Sequence, residues 1–517
     1  MKLRALLPLV VTATALMLTP AYAENARDGA SANAETKRDS APAYAGTARD
    51  NTPAEGVLKL LPANAETSHV LKTAKREIAY IATAGTLDLF GQDGKISAKI
   101  FYTAYVAKDS TGKRPLTFAF NGGPGAASAY LHLGLVGPRV LDFGPGNDDG
   151  ATPELKDNPD SWLDFTDLVL IDPVGTGWSR AANNSDNFYS VRQDAETIAK
   201  VIALYTQHNN RTSAPKYLLG ESYGGFRAAK VGMALKNTQG MLISGIIMVS
   251  PLIEARLIFG ATDYPLGAAL QLPSIAAAEL ERTNTFSPEA VAKAEHYAMT
   301  DYMVSLAGAT PSGPDGDAFY SKLAEMTGID RDKIVRAGGF VGDVFSKTED
   351  GRIASPYDAG YTAPDAYPET PLDRSDDPVL DGFTRAYGSV FAGYARNELN
   401  YACDMTYNLL SLDVNRRWNW GEGRESSRAD AGASKDIRDL LSAIPSFRLM
   451  VMHGYSDVLT PYGASRYVLD HLPPTLAKGR TELTKYRGGH MFYTRADSRT
   501  EASRDARAFY AGGASTE

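Results

Sequence analysis

A chain of 517 residues exceeds one ordinary domain, and with 44% apolar and 22% charged residues it can bury a large core. Its formal net charge of −8 gives no electrostatic reason to expect nucleic acid or an anionic membrane as a partner. The single cysteine, Cys403, excludes an intrachain disulfide and reads as a buried thiol, because no activating histidine stands beside it in Tyr401-Ala402-Cys403-Asp404.

At the amino terminus Lys2 and Arg4 form a basic start, residues 6–18 an apolar stretch, and Ala21-Tyr22-Ala23 a small-residue cleavage pattern. The apolar run is shorter than the ~20 residues that span a bilayer. Cysteine is absent near the cleavage pattern, which argues against a lipid anchor. Residues 1–23 are therefore predicted to be a signal peptide cut after Ala23. The mature chain is expected to be exported, periplasmic or secreted, without stable membrane insertion. Residues 24–70 are expected to form a flexible leader, since hardly a large apolar residue precedes Val57 to offset the entropy of ordering.

From 77 to 108, apolar and polar residues alternate around Gln92-Asp93-Gly94-Lys95, which predicts a hairpin. Short apolar runs follow at 116–120, 168–171, 217–219 and 246–249, with helical patterns between them, notably 194–205. Such runs read as parallel strands buried on both faces of a doubly wound α/β sheet. Two more, at 447–452 and 483–486, lie near the carboxyl terminus. The sheet core is thus expected in two parts, 71–251 and 441–517. Between them, 252–440 breaks the pattern with a helical stretch at 288–306, loops rich in Pro, Asp and Gly, and Arg417-Trp418-Asn419-Trp420. An inserted cap over the active edge of the sheet fits that composition.

Gly220-Glu221-Ser222-Tyr223-Gly224-Gly225 fits G-x-S-x-G, directly after the strand at 216–219 and opening a helical stretch at 227–235. That is the context of a nucleophile elbow, whose small residues let a strained turn present the serine hydroxyl. A serine is a poor nucleophile unless a base takes its proton and a carboxylate holds the base, and in an α/β-hydrolase fold the chain order is Ser, Asp or Glu, His. His490, after a strand in Tyr486-Arg487-Gly488-Gly489-His490-Met491, is the candidate base, and Asp457, in His453-Gly454-Tyr455-Ser456-Asp457-Val458, its partner. His453 closes a strand and reads as structural, with His471 at a surface helix end. Asn121-Gly122-Gly123-Pro124-Gly125 follows the strand at 116–120 and supplies the candidate oxyanion hole, from the amides of Gly123 and Tyr223.

Together these motifs resemble the serine carboxypeptidase family, in its exported bacterial form. The resemblance rests on Asn121 to Gly125, Asp172-Pro173-Val174-Gly175-Thr176-Gly177-Trp178-Ser179, the Gly-Glu-Ser-Tyr-Gly-Gly elbow, the Gly454-Tyr455-Ser456-Asp457 loop and Gly489-His490-Met491. It covers roughly 75–250 and 445–495. The resemblance implies an enzyme that removes the last residue of a peptide through an acyl-enzyme on Ser222. Asn121, the Gly122 amide and Glu221 would hold the substrate's terminal carboxylate, with Glu221 sharing a proton because two close ionised carboxylates repel. The sequence departs from the family at Ala126 and Ala127, where Cys and Ser are usual, in lacking the glutamine of the Asp-Gln-Pro segment, and at Leu135, where a second glutamate often pairs with the elbow glutamate. No cofactor or metal is implied, for the chain has no HExxH, CxxC pair or GxxxxGK[ST] loop. The expected partner is a peptide with a free carboxyl end. An esterase or acyltransferase is the alternative, since the same triad serves any acyl transfer.

Overall fold

The computed structural model describes residues 56–512 apart from 74, 111, 145–149, 184, 372 and 422–426. The predicted signal peptide and the first part of the predicted leader lie outside the described residues. The rest of the leader expectation is corrected: strand β1 (Ala65–Lys72) pairs antiparallel with β2 (Glu77–Phe90) from Ala65 opposite Ala84 to Lys72 opposite Glu77. Its sequence, AETSHVLK, carries little apolar signal because it is an edge strand, and only Leu71 is fully buried.

β2 and β3 (Ile96–Ala107) form the expected hairpin, closed by Gly94 at φ +75° and by the Lys95 amide donating to Asp93 Oδ1 at 3.1 Å. Next come β4 (Leu116–Phe120), a separate ribbon of β5 (Arg139–Asp142) and β6 (Glu154–Asp157), β7 (Asp167–Ile171), and the short β8 (Arg180–Ala181), which pairs with β3. β9 (Lys216–Glu221) and β10 (Gly245–Val249) follow, then a small ribbon of β11 (Arg352–Ala354) and β12 (Thr362–Pro364), and lastly β13 (Arg448–Gly454) and β14 (Thr481–Tyr486). The main sheet has the order β1-β2-β3-β7-β4-β9-β10-β13-β14. The pairs from β7 onward are all parallel. Every residue of β4, β7 and β10 is buried, as two-sided cover by helices requires.

Helix Val191–His208, capped by the Ser190 hydroxyl, packs beside helix Tyr223–Thr238. The second of these begins at Tyr223, earlier than the expected 227, because the elbow turns into it without a linker. Helix Ser434–Ala443 buries Ile437, Leu440 and Leu441 in the same core cluster, so the sheet domain resumes before residue 441.

Among the described residues no strand of the main sheet falls between Val249 and Arg448. The intervening chain does two different things. Helices Pro265–Arg282 and Gly313–Thr327 share a core cluster of their own. Farther on, the chain returns to the sheet domain: Leu410 bridges to Ala126, Asn408 to Gly177, and Tyr407 meets Trp178 edge-on at 5.0 Å.

Candidate active site

Ser222 sits between β9 and its helix at φ 61°, ψ −126°, a backbone region that residues with a Cβ rarely occupy. Three backbone bonds pin the strained residue: its amide donates to the Val249 carbonyl at 2.9 Å, and its carbonyl accepts from the amides of Gly225 at 2.9 Å and Leu252 at 3.1 Å. The turn leaves no room for side chains on its flanks. A Cβ on Gly220 would stand 1.9 Å from the Gly224 carbonyl oxygen, so the first glycine of G-x-S-x-G is a steric requirement.

His490 and Ser222 line one cavity, together with Gly123, Tyr223 and Thr460. His490 Nδ1 lies 2.9 Å from Asp457 Oδ2, and Asp457 is fully buried. Asp457 also accepts from the Thr460 amide at 2.9 Å and the Thr460 hydroxyl at 2.8 Å, which fixes the plane of the carboxylate. The histidine loop is held from two sides. Its amide donates to the Tyr357 carbonyl at 2.5 Å, its carbonyl accepts from the Ser250 hydroxyl at 2.8 Å, and the Tyr357 ring packs edge-on at 5.3 Å. Burial opposes the charged imidazolium, but Asp457 outweighs it, aided by Glu221, and His490 ends above the ordinary histidine value. His453 is buried near Asp457, its Nδ1 4.0 Å from Oδ2, with Nε2 bonded to Ser465 Oγ at 2.7 Å; burial pushes its pKa down to about 3. His471 caps the end of helix Tyr462–Asp470, its Nδ1 2.7 Å from the Tyr467 carbonyl.

The loop after β4 lies directly on the elbow: a Cβ on Gly122 would come within 2.6 Å of both the Tyr223 and Gly224 nitrogens. Asn121 Nδ2 donates to Glu221 Oε2 at 2.7 Å, while Asn121 Oδ1 accepts from the Leu131 amide at 3.1 Å. The Arg227 guanidinium donates to the Asn121 carbonyl and pairs with Asp194 at 2.6 Å, both groups being buried. Glu221 is itself buried, and that desolvation pushes its carboxyl up to about 7 against the pull of His490, Tyr493 and Asn121.

The sequence reading missed Tyr493, whose hydroxyl donates to Glu221 Oε2 at 2.8 Å. Leu135 belongs to the core, and a phenol from the far end of the chain supplies the elbow glutamate with a neutral partner. Gly134 makes this possible, because a Cβ there would stand 2.4 Å from the Tyr493 ring. The available signal was position: Tyr493 lies three residues after His490, in the loop already singled out. Thr460, three residues after Asp457, was missed in the same way.

The ordered sheet and the elbow at the carboxyl end of β9 define an α/β-hydrolase fold. The serine carboxypeptidase family model matches residues 84–255, from β2 to just beyond β10. The chain is similar to serine carboxypeptidase-like 44 of Arabidopsis thaliana, 30% identical over 29% of this chain and 30% of that one. It is similar also to vitellogenic carboxypeptidase of Aedes aegypti, 30% identical over 28% of this chain and 30% of that one. The aligned stretch thus spans about 30% of the length of these relatives. Among solved structures, the prohormone-processing carboxypeptidase Kex1 of Saccharomyces cerevisiae superposes with a TM-score of 0.54, covering 84% of this chain and 91% of its own; at 15% identity that likeness shows the fold alone. The family model thus matches about a third of this chain, the stretch that carries the loop after β4 and the elbow.

Proposed function

We propose that the protein is a serine carboxypeptidase, hydrolysing the last peptide bond of a substrate with a free carboxyl end. Ser222 attacks the scissile carbonyl as His490 Nε2 takes its proton, and Asp457 holds the imidazole tautomer and stabilises the imidazolium. The Gly123 and Tyr223 amides receive the oxyanion. The imidazolium then gives its proton to the leaving amino acid, and water repeats the sequence on the acyl-enzyme. The observation that carries the peptidase reading is the bonded pair Asn121–Glu221, backed by Tyr493, at the wall of the cavity that Ser222 and His490 line. A buried carboxyl near neutrality can hold its proton and donate a hydrogen bond to a second carboxylate, which suits a substrate's terminal carboxylate. An exported enzyme cut after Ala23 belongs to the same proposal, supported by the basic start, short apolar run and Ala-x-Ala pattern. Among the described residues no helix is long and apolar enough to cross a membrane.

Peptides ending in a free carboxylate or an amide separate this reading from a general esterase. The amide-ended peptide is expected to have kcat/KM about 100-fold lower or worse, because a site built for one polar group rejects the analogue that lacks it. Equal values would overturn the assignment. The pH profile offers an independent check. Glu221 is protonated below about 7 and ionised above it, so KM for a free-ended peptide should rise as pH passes that value. Glu221→Gln should flatten the rise. Tyr493→Phe removes a donor that favours the ionised carboxylate, so the rise should move to higher pH.

A further inference from the structure

The cavity at Ser222 is walled largely by apolar side chains, among them Leu252, Phe259, Leu380 and Met491, and Arg428 is the only Lys or Arg among the described residues that line it. Its guanidinium stands over the Phe259 ring at 4.6 Å and lies 5.7 Å from the Trp420 ring. Both rings hold the plane of the cation in place. Trp420 in turn meets Tyr223, the residue after the nucleophile, edge-on at 5.5 Å.

Arg428 differs from other arginines around the site in having no acid partner among the described residues. Arg227 pairs with Asp194, Arg417 with Asp413 at 2.7 Å, and Arg495 with Glu281 at 2.7 Å. Among the described residues, no ion pair or side-chain hydrogen bond includes the Arg428 guanidinium. Arg428 is exposed as a whole residue, and the apolar wall beside its guanidinium pulls its pKa down, with Tyr357 acting the other way. A cation held against aromatic rings at the rim of an apolar wall, open to solvent and with no protein partner for its donors among the described residues, matches an incoming carboxylate.

The substrate's terminal carboxylate does not fill that place, since Asn121 and Glu221 already meet it in the reading above, on which this inference rests. Arg428 instead belongs to the group of rings Phe259, Trp420 and Tyr223. We propose that Arg428 is a specificity-determining residue that selects substrates carrying a carboxylate on the acyl side of the bond cleaved, an acidic residue next to the carboxyl terminus.

The test compares two free-ended peptides that differ only in Glu or Gln at the penultimate position. It adds two phenyl esters that differ only in a glutaryl or valeryl acyl group. For the wild-type enzyme kcat/KM should favour Glu and glutaryl by about tenfold, the scale of one charge-assisted contact. That preference should shrink in 1 M salt. In Arg428→Gln both ratios should fall to near one, and in Arg428→Lys they should survive in part. Should the glutamine variant not fold, the lysine variant and the salt series still read the ratio. Wild-type ratios near one, or ratios that persist in Arg428→Gln, would each overturn the inference. If both peptides are inert while the esters show the Arg428-dependent ratio, the carboxypeptidase reading fails and the role of Arg428 stands.

Discussion

Ser222→Ala should reduce kcat by several orders of magnitude, on the order of 10⁶-fold if the three residues act as a unit, and should abolish labelling by a fluorophosphonate. The expectation of a clean effect comes from the turn itself. Ser222 precedes the first turn of helix Tyr223–Thr238, yet its hydroxyl makes no capping bond to that helix, so alanine removes no bond that the fold uses. The strained backbone is held by the Val249 and Leu252 main chain and by the packing of Gly220 on Gly224, none of which involves the hydroxyl. Unfolding midpoints of the variant and wild type should therefore agree closely while turnover collapses. Substantial turnover or surviving label in Ser222→Ala would mean that another residue is the nucleophile.

How far the site could be read from residues alone depended on what carries each signal. β4 was legible to the residue, because an isolated run of four apolar residues and one threonine fits a strand hidden between covering layers. That Ser222, Asp457 and His490 come together could be expected from sequence because each closes or follows a strand within a glycine-marked turn, so chain order and local chemistry single them out. β1 was not, for its alternation is carried by Thr, Ser and His and its order comes from pairing with β2, a long-range fact. Tyr493 was hidden for a related reason. A buried tyrosine in a loop near the carboxyl terminus has the same sequence appearance whether it fills a core or donates to Glu221, and the space left by Gly134 decides between them. The insertion was legible as a break in pattern. Its division into a separate helical cluster and a segment folded back on Trp178 depends on contacts between residues far apart in sequence.

Asp457→Asn is the second large effect, expected to lower kcat by about 10⁴-fold with the fold kept. The amide can still accept from the Thr460 main chain at the position of Oδ1, so the loop has reason to hold its shape. What changes is the partner of His490. In the wild type Nδ1 lies 2.9 Å from Oδ2, and because an ionised carboxylate can only accept, this pairing favours the tautomer with the proton on Nδ1 and Nε2 free to accept the serine proton. If the asparagine nitrogen takes the place of Oδ2 it presents donors, and Nδ1 must become the acceptor. Nε2 then carries the proton and cannot act as the base. The charge is lost as well. Burial alone lowers the pKa of His490, and Asp457 is the largest influence raising it, so the variant's imidazole should hold its proton less tightly. Since the base must be neutral, activity of the wild type is lost as pH falls through the raised value. The residual activity of Asp457→Asn should lose that acid limb at a lower pH. A merely structural defect would reduce turnover without moving the limb. An unmoved limb together with near-normal turnover would show that another carboxylate orients His490.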